Sequence, residues 1–232
     1  MTENRVFLFV LLCAFSWPTN SDALAQGTDS ASARFESEIA AFEKWDRQNA
    51  SPKDAILFVG SSSIRLWQTA EAFPDLPVIN RGFGGSSISD VNHFFDRIVP
   101  KYKPRAIVFY SGDNDIAGGK SARQVYDDFV EFVRHMHDRL PKTRIYFLSI
   151  KPSIARQKMW PEMKKANSLI QSGLANINSQ VIFVDVATPM LGPKLAGREA
   201  PPKRNLFLDD GLHLNVAGYK LWNETLRPLL KN

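Results

Sequence analysis

The chain has 232 residues, of which 44% are hydrophobic, and its 29 basic and 24 acidic residues leave a net charge of +5. This positive excess is small and dispersed, and no basic array interleaved with aromatic residues occurs, so we do not expect a nucleic-acid-binding protein. The single cysteine, Cys13, excludes a disulfide framework.

The first 25 residues have the three regions of a secretory signal peptide. Arg5 precedes an apolar run over residues 6–15, and Ala23 and Ala25 form a small-residue cleavage pattern. This run ends at Ser16, so it is shorter than the roughly 20 apolar residues that cross a membrane. We therefore expect cleavage after Ala25, a secreted or periplasmic location, and no stable membrane insertion.

Residues 26–33 are small and polar, which is typical of a flexible lead-in. The remaining residues, 34–232, suit a single domain with one sizeable core. Within it, residues 34–50 have apolar side chains at helical spacing and predict the first helix, which Pro52 follows.

Five short apolar segments bounded by polar residues predict buried strands, over residues 55–59, 77–80, 106–110, 144–150 and 181–185. Further helices are predicted over residues 63–73, 88–98, 121–140 and 161–177, and after Asn215, which can cap the last one. Strands that alternate with helices form right-handed βα units. The predicted fold is a three-layer α/β/α sandwich with a five-stranded parallel sheet.

Three predicted strands end in polar or glycine-rich residues, which are the serines after Gly60, residues 82–85 and residues 112–115. Active sites of open parallel sheets lie outside the carboxyl ends of the strands, so we expect these segments to converge. Any of Ser61, Ser62 and Ser63 is a candidate nucleophile. Helix capping is an alternative role for serines that follow a strand. A serine also needs a base to become a good nucleophile.

His213 is the best candidate for that base, because Asp210 precedes it by three residues on one predicted turn. The Asp210 carboxylate can then contact one ring nitrogen, while the other ring nitrogen faces the serine. Asp209 is an alternative partner for the ring. Asp113 and Asp115 lack companion carboxylates at metal-ligand spacing, so we expect them to be hydrogen-bonded loop residues and expect no metal.

The glycine-rich segment over residues 82–85 lacks the lysine of a P-loop and the full spacing of a dinucleotide fingerprint. We therefore expect no nucleotide and no other organic cofactor. The G-x-S-x-G elbow of α/β-hydrolases does not occur either, because Ile64 stands where its second glycine would be.

Four blocks resemble those of the SGNH, or GDSL-type, hydrolase superfamily, and their order along the chain is the same. They are Gly60-x-Ser62, Asn80-x-Gly82-x-Gly84-Gly85, Gly112-x-Asn114-Asp115 and Asp210-x-x-His213. The resemblance implies a flavodoxin-like fold and ester hydrolysis through Ser62, with His213 as the base held by Asp210. It also implies an oxyanion site formed by the backbone N–H of Ser62, by Gly85 and by Asn114.

The expected local structure agrees with this oxyanion site. Ser62 and Gly85 are both predicted to begin helices, where unpaired N–H groups favour negative charge. The chain departs from the family pattern at Ser61, where the family usually has an aspartate. A shifted turn would make Ser61 or Ser63 the nucleophile, although the spacing from Gly60 favours Ser62.

We expect a serine ester hydrolase that forms an acyl-enzyme and acts on short, acetyl-type esters of carbohydrates or small molecules. A lipid or lysophospholipid esterase and an acyltransferase with the same triad are alternatives. A non-catalytic carbohydrate-binding protein is an alternative of another class. Activity should fall as His213 becomes protonated. Residues 190–205 lie just before Asp210, where they can either shape the pocket or form a surface excursion.

Overall fold

The computed structural model describes residues 33–177, 180–193 and 200–231. The predicted signal peptide and nearly all of the predicted lead-in lie outside the described residues, as does the middle of the segment over residues 190–205. In the described part of the chain, no helix has the length and apolar character needed to span a membrane.

Five parallel strands form one sheet, in the spatial order β2, β1, β3, β4, β5. The strands are β1 (Ile56–Gly60), β2 (Val78–Gly82), β3 (Ala106–Tyr110), β4 (Arg144–Leu148) and β5 (Val181–Val184). This is the flavodoxin-like order, in which the direction of strand addition reverses between β1 and β3. The predicted fold class is therefore confirmed.

Helices flank both faces of the sheet. They are α1 (Glu36–Gln48), α2 (Ser62–Arg65), α3 (Thr69–Ala72), α4 (Ile88–His93), α5 (Phe95–Ile98), α6 (Asp113–Ala117), α7 (Ala122–Arg139), α8 (Trp160–Ile177) and α9 (Val216–Leu230). Short 3-10 turns cover Ala33–Phe35, Pro100–Tyr102, Gln157–Met159, Thr188–Met190 and Arg204–Leu206. Helices α1, α4, α5, α7 and α8 pack on one face, and α2, α3 and α9 pack on the other.

The two hydrophobic cores explain why the strands read as continuous apolar runs. Leu57 and Val59 of β1 pack into one core, and Ile56 and Phe58 pack into the other. Successive strand residues point to opposite faces, and helices cover both faces of this sheet. Every residue of β1 is consequently buried.

Two predicted helices are each divided in the structure. The segment over residues 63–73 forms α2 and α3, because the Asn80 side chain donates to the carbonyl oxygens of Ile64 and Trp67 and replaces helical hydrogen bonds there. The segment over residues 88–98 breaks at Phe94, and this break allows the adjacent Phe94 and Phe95 to be buried together.

The other predicted strands and helices are present, with ends shifted by no more than two residues. The predicted capping pattern of α7 is confirmed, because Ser121 and Gln124 form a reciprocal capping box. Asn215 caps α9 by accepting from the Gly218 N–H. Helix α6 was not predicted from the sequence, although it carries three of the candidate polar residues, Asp113, Asn114 and Asp115.

Candidate active site

Ser62 is the first residue of α2 and lies just beyond the carboxyl end of β1. The chain turns at Gly60, where φ is 139° and a Cβ atom would lie 1.8 Å from the carbonyl oxygen of Tyr110. The side chains of Ser61 and Ser63 are buried, and their hydroxyls have no hydrogen-bond partner among the described residues. Ser62 is partly exposed, so its hydroxyl is the accessible one of the three.

The imidazole of His213 connects Ser62 to Asp210. Its Nε2 lies 3.1 Å from Ser62 Oγ, and its Nδ1 lies 2.6 Å from Asp210 Oδ2. The ring is thus held by Asp210 and not by the alternative Asp209. The structure brings together the three residues that the sequence nominated as nucleophile, base and orienting carboxylate.

The side chain of Asp210 is 46% exposed, and local hydrogen-bond donors further stabilise its ionised form. Its Oδ1 accepts from the backbone N–H groups of Leu212, at 2.8 Å, and His213, at 3.0 Å. The Leu212 N–H and the His213 side chain lower the pKa of Asp210 to about 2. The carboxylate therefore remains charged at neutral and mildly acidic pH, where it fixes the orientation of the ring.

Backbone and side-chain contacts fix the turn that precedes α9. The Leu208 N–H donates to the carbonyl oxygen of His213 at 2.8 Å, and Arg204 donates to the carbonyl oxygen of Leu208 at 3.3 Å. The carbonyl oxygen of Gly211 accepts from the Ala155 N–H at 3.1 Å. The turn that carries Asp210 and His213 is therefore attached to the loop that follows β4.

Gly85 lies in a turn and does not begin a helix, so that prediction is wrong, whereas the same prediction for Ser62 is confirmed. Helix α4 begins at Ile88, because Ser87 and Asp90 form a capping box at its start. Gly85 has φ of 80°, and a Cβ atom there would meet nothing within 4 Å. The left-handed backbone, and not lack of space, favours glycine at this position.

The side-chain amide of Asn114 in α6 is oriented from both of its ends. Its Nδ2 donates to the Ser86 carbonyl oxygen at 2.9 Å, and its Oδ1 accepts from Arg156 Nη2 at 2.9 Å. A carboxamide has two N–H donors, and the second one has no partner within the part of the chain that the structure describes. Asn114 is thus bonded to the segment containing Gly85 and retains one available donor.

A buried charged group, here called the Asp113 cluster, lies behind Asn114 and consists of Tyr110, Asp113, Lys151 and Arg156. Asp113 Oδ2 lies 3.1 Å from Lys151 Nζ and 3.1 Å from Arg156 Nη1, and Lys151 donates to the Tyr110 hydroxyl. Burial opposes ionisation of Asp113, but the two cations outweigh it and hold the pKa of its carboxyl below the ordinary value. Burial raises the pKa of Tyr110, which stays neutral. The cluster therefore has one more positive charge than negative charge.

Lys151 and Arg156 were not identified from the sequence. Lys151 lies three residues beyond the end of β4. A charged residue just beyond the carboxyl end of a strand could have indicated a candidate site residue. Arg156 gave no local signal, because its hydrogen bond to Asn114 joins residues 42 positions apart.

Asp115 is hydrogen-bonded, as expected, but it and Asp113 lie in helix α6 and not in a loop, so that part of the prediction is wrong. The Ile88 N–H at the start of α4 donates to both of its carboxylate oxygens at 3.1 Å, and Lys120 Nζ lies 3.2 Å from one of them. Burial raises the pKa of Asp115 to about 6. Among the described residues, no group of three or more His, Cys, Asp or Glu side chains is placed to hold a metal ion.

Comparison with known families places the chain among the acylhydrolases, which are ester-cleaving enzymes. More particularly, the chain belongs to the GDSL-like lipase/acylhydrolase family, whose sequence profile matches residues 62–221, more than half of its length. The matched span begins at Ser62 and contains Gly85, Asn114, Asp210 and His213. The resemblance inferred from the four blocks is thereby confirmed. No curated protein matches the chain in sequence.

Solved structures share this fold over most of the chain. A Streptococcus pneumonia protein provisionally described as a platelet activating factor is 24% identical, with a TM-score of 0.72, over 91% of this chain and 100% of its own. A GDSL-like lipase from Bacteroides thetaiotaomicron is 19% identical, with a TM-score of 0.67, over 86% of this chain and 97% of its own. A variant of an acetyl-xylooligosaccharide esterase from Geobacillus Stearmophilus is 15% identical, with a TM-score of 0.60, over 76% of this chain and 94% of its own.

Proposed function

We propose that this protein is a serine ester hydrolase that forms an acyl-enzyme at Ser62. The observation that carries the proposal is the hydrogen-bonded series from Asp210 through His213 to the Ser62 hydroxyl. A serine becomes a good nucleophile when a base lies within hydrogen-bonding distance and a third group orients that base. Membership of the acylhydrolase family supports the same conclusion.

The first half of the reaction acylates Ser62. His213 Nε2 takes the hydroxyl proton while Ser62 Oγ forms a bond to the ester carbonyl carbon, and the carbonyl π electrons move to the oxygen. Asp210 keeps the proton of the neutral ring on Nδ1 and stabilises the imidazolium. The backbone N–H groups of Ser62 and Gly85 and the Asn114 amide donate to the developing oxyanion.

Collapse of this intermediate completes the acylation, and hydrolysis then releases the acyl group. His213 gives its proton to the leaving oxygen as the bond between that oxygen and the acyl carbon breaks, and the alcohol departs. A water molecule then loses a proton to His213 and attacks the acyl carbon. The bond to Ser62 Oγ breaks, the proton returns to the serine, and the carboxylic acid leaves.

The substrate that we propose is a short, acetyl-type ester of a carbohydrate or another small molecule. The fold is shared with an acetyl-xylooligosaccharide esterase, which supports this substrate class by analogy. The signal-like sequence over residues 1–25 supports a secreted or periplasmic site of action. Acetyl esters of glycans and of small alcohols are therefore both suitable first substrates.

Fluorophosphonate labelling followed by peptide mass spectrometry tests the proposal. We expect one adduct on Ser62, and we expect Ser62→Ala to remove the adduct and to lower kcat on aryl acetates by on the order of 10⁶-fold. Ser61→Ala and Ser63→Ala are matched controls that should retain the adduct, because both hydroxyls are buried. A folded wild-type protein without any adduct would instead support the non-catalytic carbohydrate-binding alternative.

A further inference from the structure

An open apolar cavity of about 550 Å³ is lined by the segment that joins α2 to α3, by α3, by α9 and by the turn that precedes α9. This volume lies within the range of small-molecule binding sites. Leu66, Leu208 and Val216 line the cavity and are 38%, 47% and 88% exposed. They are three of the five large hydrophobic side chains that are exposed in the described part of the chain. Such clustering of exposed apolar side chains is typical of a binding surface.

The cavity is attached to the residues that carry the proposed reaction. The Leu66 N–H donates to the Ser62 carbonyl oxygen at 2.9 Å, which places Leu66 one helical turn beyond Ser62 on the same face. On the other wall, the Leu208 N–H donates to the His213 carbonyl oxygen at 2.8 Å, and Leu214 directly follows His213. Ser62 and His213 do not themselves line the cavity, but its two walls are bonded through the backbone to the proposed nucleophile and the proposed base.

The position of the base decides which part of an ester this cavity can receive. His213 must deliver a proton to the leaving oxygen, so the alcohol portion of the ester lies on the His213 side of Ser62. The oxyanion donors, including Asn114, belong to the other side. We propose that the cavity binds the apolar part of the alcohol portion, so that the enzyme selects esters of apolar alcohols with a short acyl group.

The charges around the cavity favour an alcohol group without net charge. Glu71 and Lys220 both line it, so its rim has one charge of each sign. Two polar groups of the wall are already used, because Trp67 Nε1 donates to Asn223 Oδ1 at 2.8 Å and the Tyr219 hydroxyl donates to the Ser63 carbonyl oxygen at 3.0 Å. An alkyl or aryl group fits these surroundings better than a sugar hydroxyl array does, so within the proposed substrate class the inference favours esters of small apolar alcohols over carbohydrate esters.

A pair of isomeric esters tests this inference, which rests on the proposed function. Hexyl acetate and ethyl hexanoate have the same composition, but their long chains lie on opposite sides of the ester bond. Each methylene removed from water should raise kcat/KM about fourfold, so we expect hexyl acetate to exceed ethyl hexanoate by at least about tenfold. Equal values, or a preference for ethyl hexanoate, would overturn the inference, and the latter would indicate a lipid esterase that binds the acyl chain.

Variants of the cavity wall separate binding from intrinsic reactivity. Val216→Asn and Leu208→Asn should each lower the ratio of kcat/KM between hexyl acetate and ethyl hexanoate. Val216 is almost fully exposed, so its replacement tests the cavity even where Leu208→Asn fails to fold. Met159→Asn is the matched control, since Met159 is 37% exposed and does not line the cavity. An unchanged ratio in Val216→Asn contradicts the inference.

Fluorophosphonate labelling distinguishes the two possible failures. Labelled Ser62 together with a ratio near one would overturn the assignment of the cavity and leave the proposed hydrolase intact. No labelling and no turnover of either ester would overturn both.

Discussion

Residues on the Asn114 side of Ser62 are charged and buried, whereas those on the His213 side are apolar or open to solvent. Asp113 and Lys151 have side chains that are only 6% and 1% exposed, and each is paired with an opposite charge. Asp210 is nearly half exposed and is held mainly by local N–H donors. The two sides thus differ in how their charges are stabilised.

This difference corresponds to what each side does in the proposed reaction. Buried ions are costly unless they are paired, so an arrangement with one carboxylate and two cations has little freedom to reorganise. Its excess positive charge lies one hydrogen bond behind Asn114, where the oxyanion would form. The His213 side instead exchanges protons with water and receives the alcohol, and both tasks require access.

The loop after β4 joins the two sides. Arg156 donates from this loop to Asn114, and the neighbouring Ala155 N–H donates to the Gly211 carbonyl oxygen in the turn that carries Asp210. A single segment therefore contacts both Asn114, the proposed oxyanion donor, and the turn that carries His213, the proposed base. Substitutions on each side should still have separable effects, because the charged residues and the turn make different contacts.

Among substitutions that distinguish the two sides, the largest effect is expected on the exposed side, from Asp210→Asn. The asparagine amide cannot stabilise the His213 imidazolium or keep the ring in the correct tautomer, so kcat should fall by on the order of 10⁴-fold. Initial rates on an aryl acetate measure this fall. Asp209→Asn is the matched control and should retain full turnover, because the ring contacts Asp210. A loss below tenfold in Asp210→Asn would show that solvent can replace this carboxylate.

On the buried side, Asn114→Ala should lower kcat by about 10²- to 10³-fold, with KM nearly unchanged, because one oxyanion donor is lost. Asn92→Ala is a matched control, since Asn92 also donates an amide N–H to a backbone carbonyl, that of Asp128 at 2.9 Å. We expect it to retain wild-type kcat. Equal losses in both variants would mean that the effect of Asn114 is structural.

A smaller effect is expected from Arg156→Met, which removes the donor that fixes the Asn114 amide. A hydrogen bond from a charged donor contributes about 1.5 kcal/mol or more, so kcat should fall roughly tenfold. The double variant with Asn114→Ala should be no slower than Asn114→Ala alone, because Arg156 acts through that amide. Additive losses would contradict this coupling. Arg123→Met, at an exposed ion pair on α7, should leave kcat unchanged.

The same contrast explains what the sequence could predict. Ser62, Asp210 and His213 could be identified from local patterns. Ser62 follows an apolar strand that ends at Gly60, and Asp210 lies three residues before His213 on one turn. The division between α2 and α3 could not be predicted, because it depends on the side chain of Asn80, which lies in strand β2. The spacing of apolar residues along the chain indicates which residues are buried. It does not indicate which distant side chain replaces a helical hydrogen bond.

The Asp113 cluster was missed for a related physical reason. Its members come from β3, α6 and the loop after β4, and only the folded chain brings their charges within 3.1 Å. The sequence correctly indicated that Asp113 and Asp115 are bonded within the protein. It did not indicate that two cations accompany Asp113.

The smallest change in turnover is expected from Asp115→Asn, whose main effect should be on the pH dependence of stability. Burial raises the pKa of Asp115 from 3.8 to about 6, so the folded state binds more protons than the unfolded state between these pH values. The free energy of unfolding should therefore decrease as the pH rises from about 4 to 6. Asp210 behaves oppositely, because its pKa is lowered to about 2 and its contribution is lost only as the pH falls below about 4.

Urea unfolding at several pH values between 4 and 7 measures this difference. Wild type should lose up to about 3 kcal/mol of Asp115-linked stability across this range, and Asp115→Asn should remove most of that slope. A residual slope is expected, because burial also raises the pKa of Asp128, which contacts the same Lys120. Asp210→Asn serves as the control and should keep the wild-type slope above pH 4. An unchanged slope in Asp115→Asn would mean that the carboxylate stays ionised through its contacts with Lys120 and the Ile88 N–H.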